Sequence, residues 1–177
     1  TVDEFRGSSK SNLLWSDLRF LQTWNAFRRF YNRPIPVGYC FKRIWEGGHG
    51  SQSQHYAGGA FDCGQALSAD ARDALYRSAV AFGEWSYVEP QFMTPTWVHF
   101  DKRLTPPACS AGGYIFLKEG ARGVYVLILQ DALNAIGFTG SGLDGYFGGK
   151  TKRSVANMQK ELGLSVDGQV GCETWTA

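Results

Sequence analysis

Residues 53–62 read SQHYAGGAFD, and this stretch decides how the first half of the chain is interpreted. It places His55 and Asp62 seven positions apart, with small residues between them that let the backbone turn so that both side chains face one point. The chain has three histidines, and His99 follows in a segment that predicts a strand. Two imidazoles and one carboxylate, with a fourth position open to water, match the ligand set of a catalytic zinc ion.

The chemistry of such a site is hydrolysis. Bound zinc lowers the pKa of its water to about 7 and polarises a carbonyl group, which together favour attack on a peptide bond at neutral pH. His99 has another interpretation, because a histidine on a strand is often a structural residue with its hydrogen bonds satisfied. From the spacing alone both interpretations stay open.

The spacing of apolar residues predicts two helices and two strands in this half of the chain. In the second strand, period-two alternation puts His99 and Asp101 on the face opposite Val98 and Phe100. The predicted elements are a helix over Ser16–Tyr31, a strand over Val37–Ile44, a helix over Ala69–Ser86 and a strand over Thr96–Asp101.

The histidine and aspartate motif resembles a known family. Residues 53–62 fit the pattern S-x-H-x-x-G-x-A-x-D, and WVHFD follows at 97–101. This combination resembles the M15 family of zinc D-Ala-D-Ala carboxypeptidases and related peptidoglycan endopeptidases, over roughly residues 12 to 103. The resemblance implies an α+β fold with a small antiparallel sheet. It also implies His55, Asp62 and His99 as the Zn²⁺ ligands and Ser53 as a substrate-binding residue.

The catalytic base is less clear from the sequence. The family places an acidic residue or a histidine a few positions before the last zinc-binding histidine, whereas residues 93–98 of this chain read MTPTWV. Glu89 is a candidate base if its loop folds back toward the metal. Asp101 is a second candidate, and its position beside His99 also fits a residue that orients a neighbour.

This chain also lacks the substrate-binding arginine at the position where the family has it. The family commonly reads Ser-Gly-Tyr-Arg where this chain has Cys40 after Gly38 and Tyr39. Arg43 is a candidate replacement, because a guanidinium can hold a carboxylate with two hydrogen bonds. A solvated charge at the end of a strand is the alternative. His49, in a glycine-rich loop, is either inert or a catalytic helper.

The second half of the chain predicts a separate module. A stretch rich in proline, glycine and serine at 105–113 marks the boundary, and two helical patterns follow, each succeeded by Asp-Gly-x-x-Gly at 144–148 and 167–171. The ordered motifs resemble the type 1 peptidoglycan-binding domain, an all-α three-helix bundle. We therefore expect a zinc peptidase domain over 1–106, a linker over 107–112 and a peptidoglycan-binding domain over 113–177. Core positions expected in the latter are Leu129, Leu133, Val155, Leu164 and Trp175.

The four cysteines allow two disulfides in an exported protein. Cys40 with Cys63 and Cys109 with Cys172 is one of three connectivities, and buried thiols are the alternative to bridges. The absence of CxxC pairs disfavours a zinc ribbon.

The charge and composition of the chain limit the classes of binding partner that we expect. The formal net charge is +2 and no basic run marks a nucleic-acid binder. No stretch reaches the roughly 20 apolar residues of a membrane span. We expect a monomer, extracellular or attached to the cell wall, whose partner is peptidoglycan, both stem peptides and glycan. The predicted function is a zinc-dependent carboxypeptidase or stem-peptide endopeptidase. The alternatives are a catalytically impaired zinc-containing wall-binding protein and an amidase that cleaves the sugar–peptide linkage.

Overall fold

The computed structural model describes residues 1–109 and 113–177, which form two compact units. The first unit contains residues 1–42 and 58–103, and the second contains residues 43–57 and 104–177. This division differs from the expected continuous domain over 1–106, because residues 43–57 pack within the second unit. Residues 110–112 of the expected linker lie outside the described part of the chain.

Three helices belong to the first unit. The side chain of Asp17 caps the second helix by accepting a hydrogen bond from the Arg19 amide at 2.7 Å. The third helix ends at Phe82, four residues before the predicted end at Ser86. Gly83 caps it with a φ of 71°, which is accessible to glycine without strain. The helices are α1 (Val2–Arg6), α2 (Leu18–Tyr31) and α3 (Ala69–Phe82).

A small antiparallel sheet completes the first unit, as predicted. Its strands are β1 (Val37–Tyr39), β2 (Ala60–Cys63), β3 (Tyr87–Val88) and β4 (Val98–Asp101), in the order β1-β2-β4-β3. The first strand is shorter than the predicted Val37–Ile44: it ends at Tyr39, and Ile44–Glu46 form a 3-10 turn in the second unit.

The two faces of the sheet differ in chemistry. Phe61 and Phe100, directly opposite each other on β2 and β4, pack into an aromatic core with α2 and α3. The Phe27 and Phe100 rings lie 5.3 Å apart between centroids, and the Trp24 and Phe61 rings lie 4.3 Å apart. Because side chains alternate along a strand, Asp62, His99 and Asp101 occupy the opposite face.

The second unit contains the three helices expected of the wall-binding module: α4 (Val124–Ala135), α5 (Gly149–Glu161) and α6 (Cys172–Thr176). Leu129, Leu133 and Val155 are buried, which confirms them as core residues, whereas Leu164 and Trp175 are half-buried. Across the described residues, no helix has the length and apolar character needed to cross a membrane.

A buried glutamine organises the first Asp-Gly turn of this unit. The Gln130 amide nitrogen donates to Asp144 Oδ1, to the Tyr146 carbonyl and to Thr151 Oγ1, at 2.8–3.1 Å. Its Oε1 accepts from the backbone amides of Asp144 and Gly145 at 3.0 and 2.9 Å. One fully buried side chain therefore satisfies the polar groups of the turn.

The second Asp-Gly turn repeats this network. The Gln159 amide nitrogen donates to Asp167 Oδ1, to the Gln169 carbonyl and to Thr174 Oγ1, and its Oε1 accepts from the amides of Asp167 and Gly168. The two helical patterns that are each followed by Asp-Gly-x-x-Gly therefore form a structural duplication, in which each helix supplies the glutamine that holds the turn after it.

The cysteines divide between the two outcomes that the sequence allowed. Cys109 and Cys172 form a disulfide in the second unit, with Cα atoms 4.6 Å apart. Cys40 and Cys63 lie buried in the first unit as thiols outside a disulfide. Burial raises the pKa of both thiols well above the ordinary value, so both stay protonated at neutral pH.

Candidate metal centre

Asp62 and His99 form the centre of the polar face of the sheet. They are directly opposite each other on β2 and β4, and Asp62 Oδ1 lies 2.7 Å from His99 Nδ1. Both side chains are mostly buried, each with 13 % of its surface exposed. The strand register therefore brings together two of the three predicted metal ligands, 37 positions apart in sequence.

The second ring nitrogen of His99 has its own carboxylate. His99 Nε2 lies 3.3 Å from Asp101 Oδ2, on the same strand and face. Asp101 is fully buried, and Arg103 binds both of its carboxylate oxygens through Nε at 2.8 and 3.0 Å and contacts it again through Nη2. Although burial raises the pKa of Asp101, the hydrogen bonds from Arg103 and His99 hold it below the ordinary value. Asp101 is therefore an ionised residue that orients His99.

The two carboxylates determine the protonation of the His99 ring. Burial lowers its pKa, but the hydrogen bonds to Asp101 and Asp62 outweigh burial and raise the pKa to about 9. Without metal, the ring therefore carries both protons at pH 7 and donates to both carboxylates. A metal ion that takes one ring nitrogen must displace one of these protons.

Glu89 lies beside His99, one residue beyond the end of β3. The pairing of β3 with β4 sets Tyr87 opposite Asp101 and Val88 opposite Phe100. The Glu89 amide donates to the His99 carbonyl at 2.9 Å, which continues this register by one residue. Glu89 and His99 are thus cross-strand neighbours, and the side chains of such neighbours point to the same face of a sheet. We therefore expect the half-buried Glu89 side chain on the polar face that carries Asp62.

The loop before β2 holds the remaining predicted residues. His55 is buried, with 2 % of its surface exposed, and its backbone amide donates to Ser53 Oγ at 3.3 Å. The His49 ring stacks on the His55 ring with centroids 4.6 Å apart and planes 27° apart. Tyr114 Oη donates to the Ser53 carbonyl at 2.8 Å, which fixes this loop within the second unit.

His55, Asp62 and His99 make up a group that could hold a metal ion. Each offers one ligand atom, and these three atoms lie within 4.8 Å of one another. Two neutral imidazoles and a carboxylate are a donor set that zinc accepts, and three protein ligands are the number found in catalytic zinc sites. The residues present therefore fit the metal that the sequence predicts.

Arg43 has a partner inside the protein, which does not support its predicted role in substrate binding. Its guanidinium holds Asp131 of α4 through Nε at 2.8 Å and Nη2 at 2.5 Å, and the Ile44 amide donates to the same carboxylate at 3.2 Å. The Asp131 side chain is 2 % exposed. The pair therefore fastens residues 43–57 to α4, and the guanidinium has a structural function there.

Sequence reasoning missed Arg103 and the two buried glutamines. The period-two spacing of His99, Asp101 and Arg103 was a signal for the first, because it continues the polar face one step past the end of β4. Gln130 and Gln159 follow an apolar residue at matching points of the two repeats, and each precedes an Asp-Gly turn. Comparing the two repeats position by position would have identified them.

Comparison with known protein families assigns the second unit. Residues 122–177 match the family model PG_binding_1, which describes a peptidoglycan binding domain. The chain therefore contains a peptidoglycan-binding domain, and peptidoglycan is the partner that this domain indicates. The match confirms that part of the sequence prediction and gives the chain a function related to the cell wall.

Individual relatives match a part of the chain. A spore cortex-lytic enzyme of Halalkalibacterium halodurans is 46% identical over 57 residues, which is 32% of this chain and 17% of the relative. An uncharacterised protein encoded in the bpoA1 3' region of Kitasatospora aureofaciens is 40% identical over 76 residues, which is 40% of this chain and 64% of the relative. The chain thus spans less than two thirds of either relative.

One solved structure is similar over a comparable length. The crystal structure of the SleB N-terminal domain is 38% identical and covers 34% of this chain and 84% of its own, with a TM-score of 0.34.

Proposed function

We propose that the chain is a zinc-dependent peptidoglycan peptidase, a D-Ala-D-Ala carboxypeptidase or stem-peptide endopeptidase, held on the cell wall by its peptidoglycan-binding domain. The observation that carries the proposal is the group of His55, Asp62 and His99, whose ligand atoms lie within 4.8 Å of one another. The family match supports the substrate, because residues 122–177 match a domain that binds the polymer on which such a peptidase acts.

The roles of the protein residues follow from their contacts. When bound, zinc supplies a Lewis acid that polarises the scissile carbonyl and activates a water molecule. His99 meets Asp62 through Nδ1, while Asp101 holds its Nε2 and thereby fixes the ring orientation. A carboxylate behind a metal-binding histidine makes the imidazole a stronger ligand. Arg103 keeps Asp101 ionised so that it can serve as that carboxylate.

Glu89 is the proposed general base. A base must come within hydrogen-bond reach of the proton that it removes. The backbone hydrogen bond from Glu89 to the His99 carbonyl supports this role, whereas both oxygens of Asp101 are bound by Arg103. The family position of the base, before the last histidine, is taken by uncharged residues in this chain. Glu89 therefore supplies the carboxylate from the neighbouring strand.

The peptidoglycan-binding domain increases the local concentration of substrate. The wall is an insoluble polymer, and a tethered catalytic site meets many stem peptides without dissociating. We therefore propose an extracellular or wall-associated location for the protein.

Hydrolysis of muropeptides tests the proposal. The zinc-loaded chain should convert pentapeptide muropeptides to products that lack terminal D-Ala, or to stem-peptide fragments, by mass spectrometry. The His99→Ala variant should bind the wall and leave the muropeptides intact. Unchanged muropeptides with the wild-type chain would contradict the proposal, and release of intact stem peptides from glycan would indicate an amidase.

A second candidate function is a wall-binding protein that keeps the metal site without catalysis. The pairing of Arg43 with Asp131 favours it, because the arginine expected to bind a substrate carboxylate serves the structure instead. In the same experiment, a chain that binds the wall and zinc but hydrolyses no muropeptide would support this second function.

A further inference from the structure

The second unit has a pocket of about 310 Å³ that the metal centre does not use. One wall is the turn after α4, and the other is one face of α5. Positions three, four and seven apart lie on the same face of a helix, which brings the polar side chains of α5 together. The pocket is lined mainly by Phe138, Gly140, Lys150, Arg153, Ser154 and Asn157.

The pocket is cationic. Lys150 and Arg153 are exposed, and within residues 1–109 and 113–177 neither of them forms an ion pair with a carboxylate. Two positive charges without a protein counter-ion attract an anionic group. By contrast, Lys152 on the same helix pairs with Glu119 at 2.9 Å, outside the pocket.

The remaining lining residues suit an anion attached to a larger molecule. Ser154, which is 5 % exposed, and Asn157 also line the pocket, and their side chains carry a hydroxyl and an amide. A Cβ at Gly140 would lie 3.3 Å from Ser154 Oγ, so the backbone approaches this hydroxyl closely. Phe138 adds an apolar surface for the carbon skeleton of a ligand.

We propose that this pocket binds a free carboxylate of the peptidoglycan stem peptide, with Arg153 and Lys150 as its counter-ions. A guanidinium binds a carboxylate through two parallel hydrogen bonds, and an ammonium adds a mobile charge. Stem peptides carry free carboxylates along a neutral glycan, which matches a small cationic pocket with an aromatic side. The inference rests on the part of the proposed function in which the chain binds peptidoglycan, and it is independent of the zinc site.

Binding of the full chain to purified sacculi tests this inference. The sacculi are stripped of phosphate polymers, so that wall phosphate cannot supply the anion. Half of the preparation is then amidated at the carboxyl groups of the stem peptides, and the other half is left untreated. The pocket variant is Lys150→Gln with Arg153→Gln. The matched control is Lys118→Gln with Lys160→Gln, which removes the same charge from exposed lysines outside the pocket. Near-ultraviolet circular dichroism checks the fold of both.

The expected result is a loss of at least about tenfold in affinity for the pocket variant, with the control binding like the wild type. Amidation should weaken the wild type to the level of the pocket variant and leave the pocket variant unchanged. Equal binding of pocket variant and control, or equal binding of wild type to amidated sacculi, would overturn the inference. Failure of the wild type to bind any sacculi would overturn it together with the wall-binding role, whereas hydrolysis of soluble muropeptides reports on the zinc site separately.

Discussion

His99 Nδ1 lies 2.7 Å from Asp62 Oδ1, while the other nitrogen of the same ring faces Asp101 at 3.3 Å. This relationship explains both the structural and the proposed chemical behaviour of the polar sheet face. With metal absent, the imidazolium joins two carboxylates across β2 and β4. A bound metal ion would replace one of these protons, and Asp101 would continue to hold the ring.

The first prediction concerns stability of the metal-free protein at high pH. The pKa of His99 is about 9 in the folded state, above its ordinary value of 6.5. A raised pKa contributes stability that is fully present below the unfolded value, so this contribution should be lost as pH rises from about 6.5 through 9. Its size is at most about 3 kcal/mol. Urea unfolding of the chelator-treated protein between pH 6 and 10 measures it.

The His99→Gln variant is the control for this pH series. It lacks the titrating ring, so its stability should change less over the same range. An equal decline in wild type and variant would mean that His99 does not carry the extra proton.

The second prediction concerns Glu89 as the base. Glu89→Gln removes the carboxylate and keeps the size of the side chain, so kcat should fall by about 10²- to 10⁴-fold. The zinc content should stay unchanged, because Glu89 is not a proposed ligand. Glu84→Gln, at an exposed residue outside the sheet, should keep the wild-type rate. Full activity of Glu89→Gln would assign the base to another residue.

The third prediction concerns the duplicated glutamines. Gln130→Leu and Gln159→Leu each leave the amides of an Asp-Gly turn without their acceptor, and both glutamines are at most 1 % exposed. Each change should destabilise the second unit by about 2–4 kcal/mol. Urea titration followed through the amide signals of Gly145 and Gly168 measures this. Gln22→Leu, at an exposed glutamine of α2, should have little effect on those signals, and equal midpoints for all three variants would refute the prediction.

The fourth prediction counts thiols. Cys40 and Cys63 are buried with raised pKa values, so the native protein should react with a thiol reagent at neither position. In denaturant without reductant, two thiols should react, because Cys109 and Cys172 remain joined. No reactive thiol after denaturation would show a second bridge, and four would show none.

Much of the polar face could be predicted from the sequence, because it depends on alternation within a strand. The pattern of Val98, His99, Phe100 and Asp101 assigns two faces without knowledge of the partner strand. The seven-residue spacing of His55 and Asp62 likewise suggests convergence on one point. The identity of the strand that pairs with β4 cannot be read from this pattern, so the contact of His99 with Asp62 needed the structure.

The expectations for Arg43 and Glu89 depended on long-range partners that the sequence does not show. Arg43 and Asp131 are 88 positions apart, and nothing in the local pattern around either residue indicates the other. A charge near the end of a predicted strand therefore looked available to a substrate. Glu89 is ten positions before His99, and the sequence alone suggested that a loop must fold back to bring the two together. In the structure the Glu89 amide donates to the His99 carbonyl, so the backbone pairing of β3 with β4 continues to this residue.

Zinc stoichiometry tests the central claim most directly. The protein is stripped of metal, dialysed against buffered zinc at pH 7.5 and analysed by elemental mass spectrometry, beside His55→Ala, Asp62→Ala, His99→Ala and the matched control His49→Ala. We expect one zinc ion per chain in the wild type and in His49→Ala, and a loss of at least tenfold in affinity in each of the three ligand variants. A wild-type chain that binds no zinc, or ligand variants that bind it as tightly as the wild type, would contradict the account.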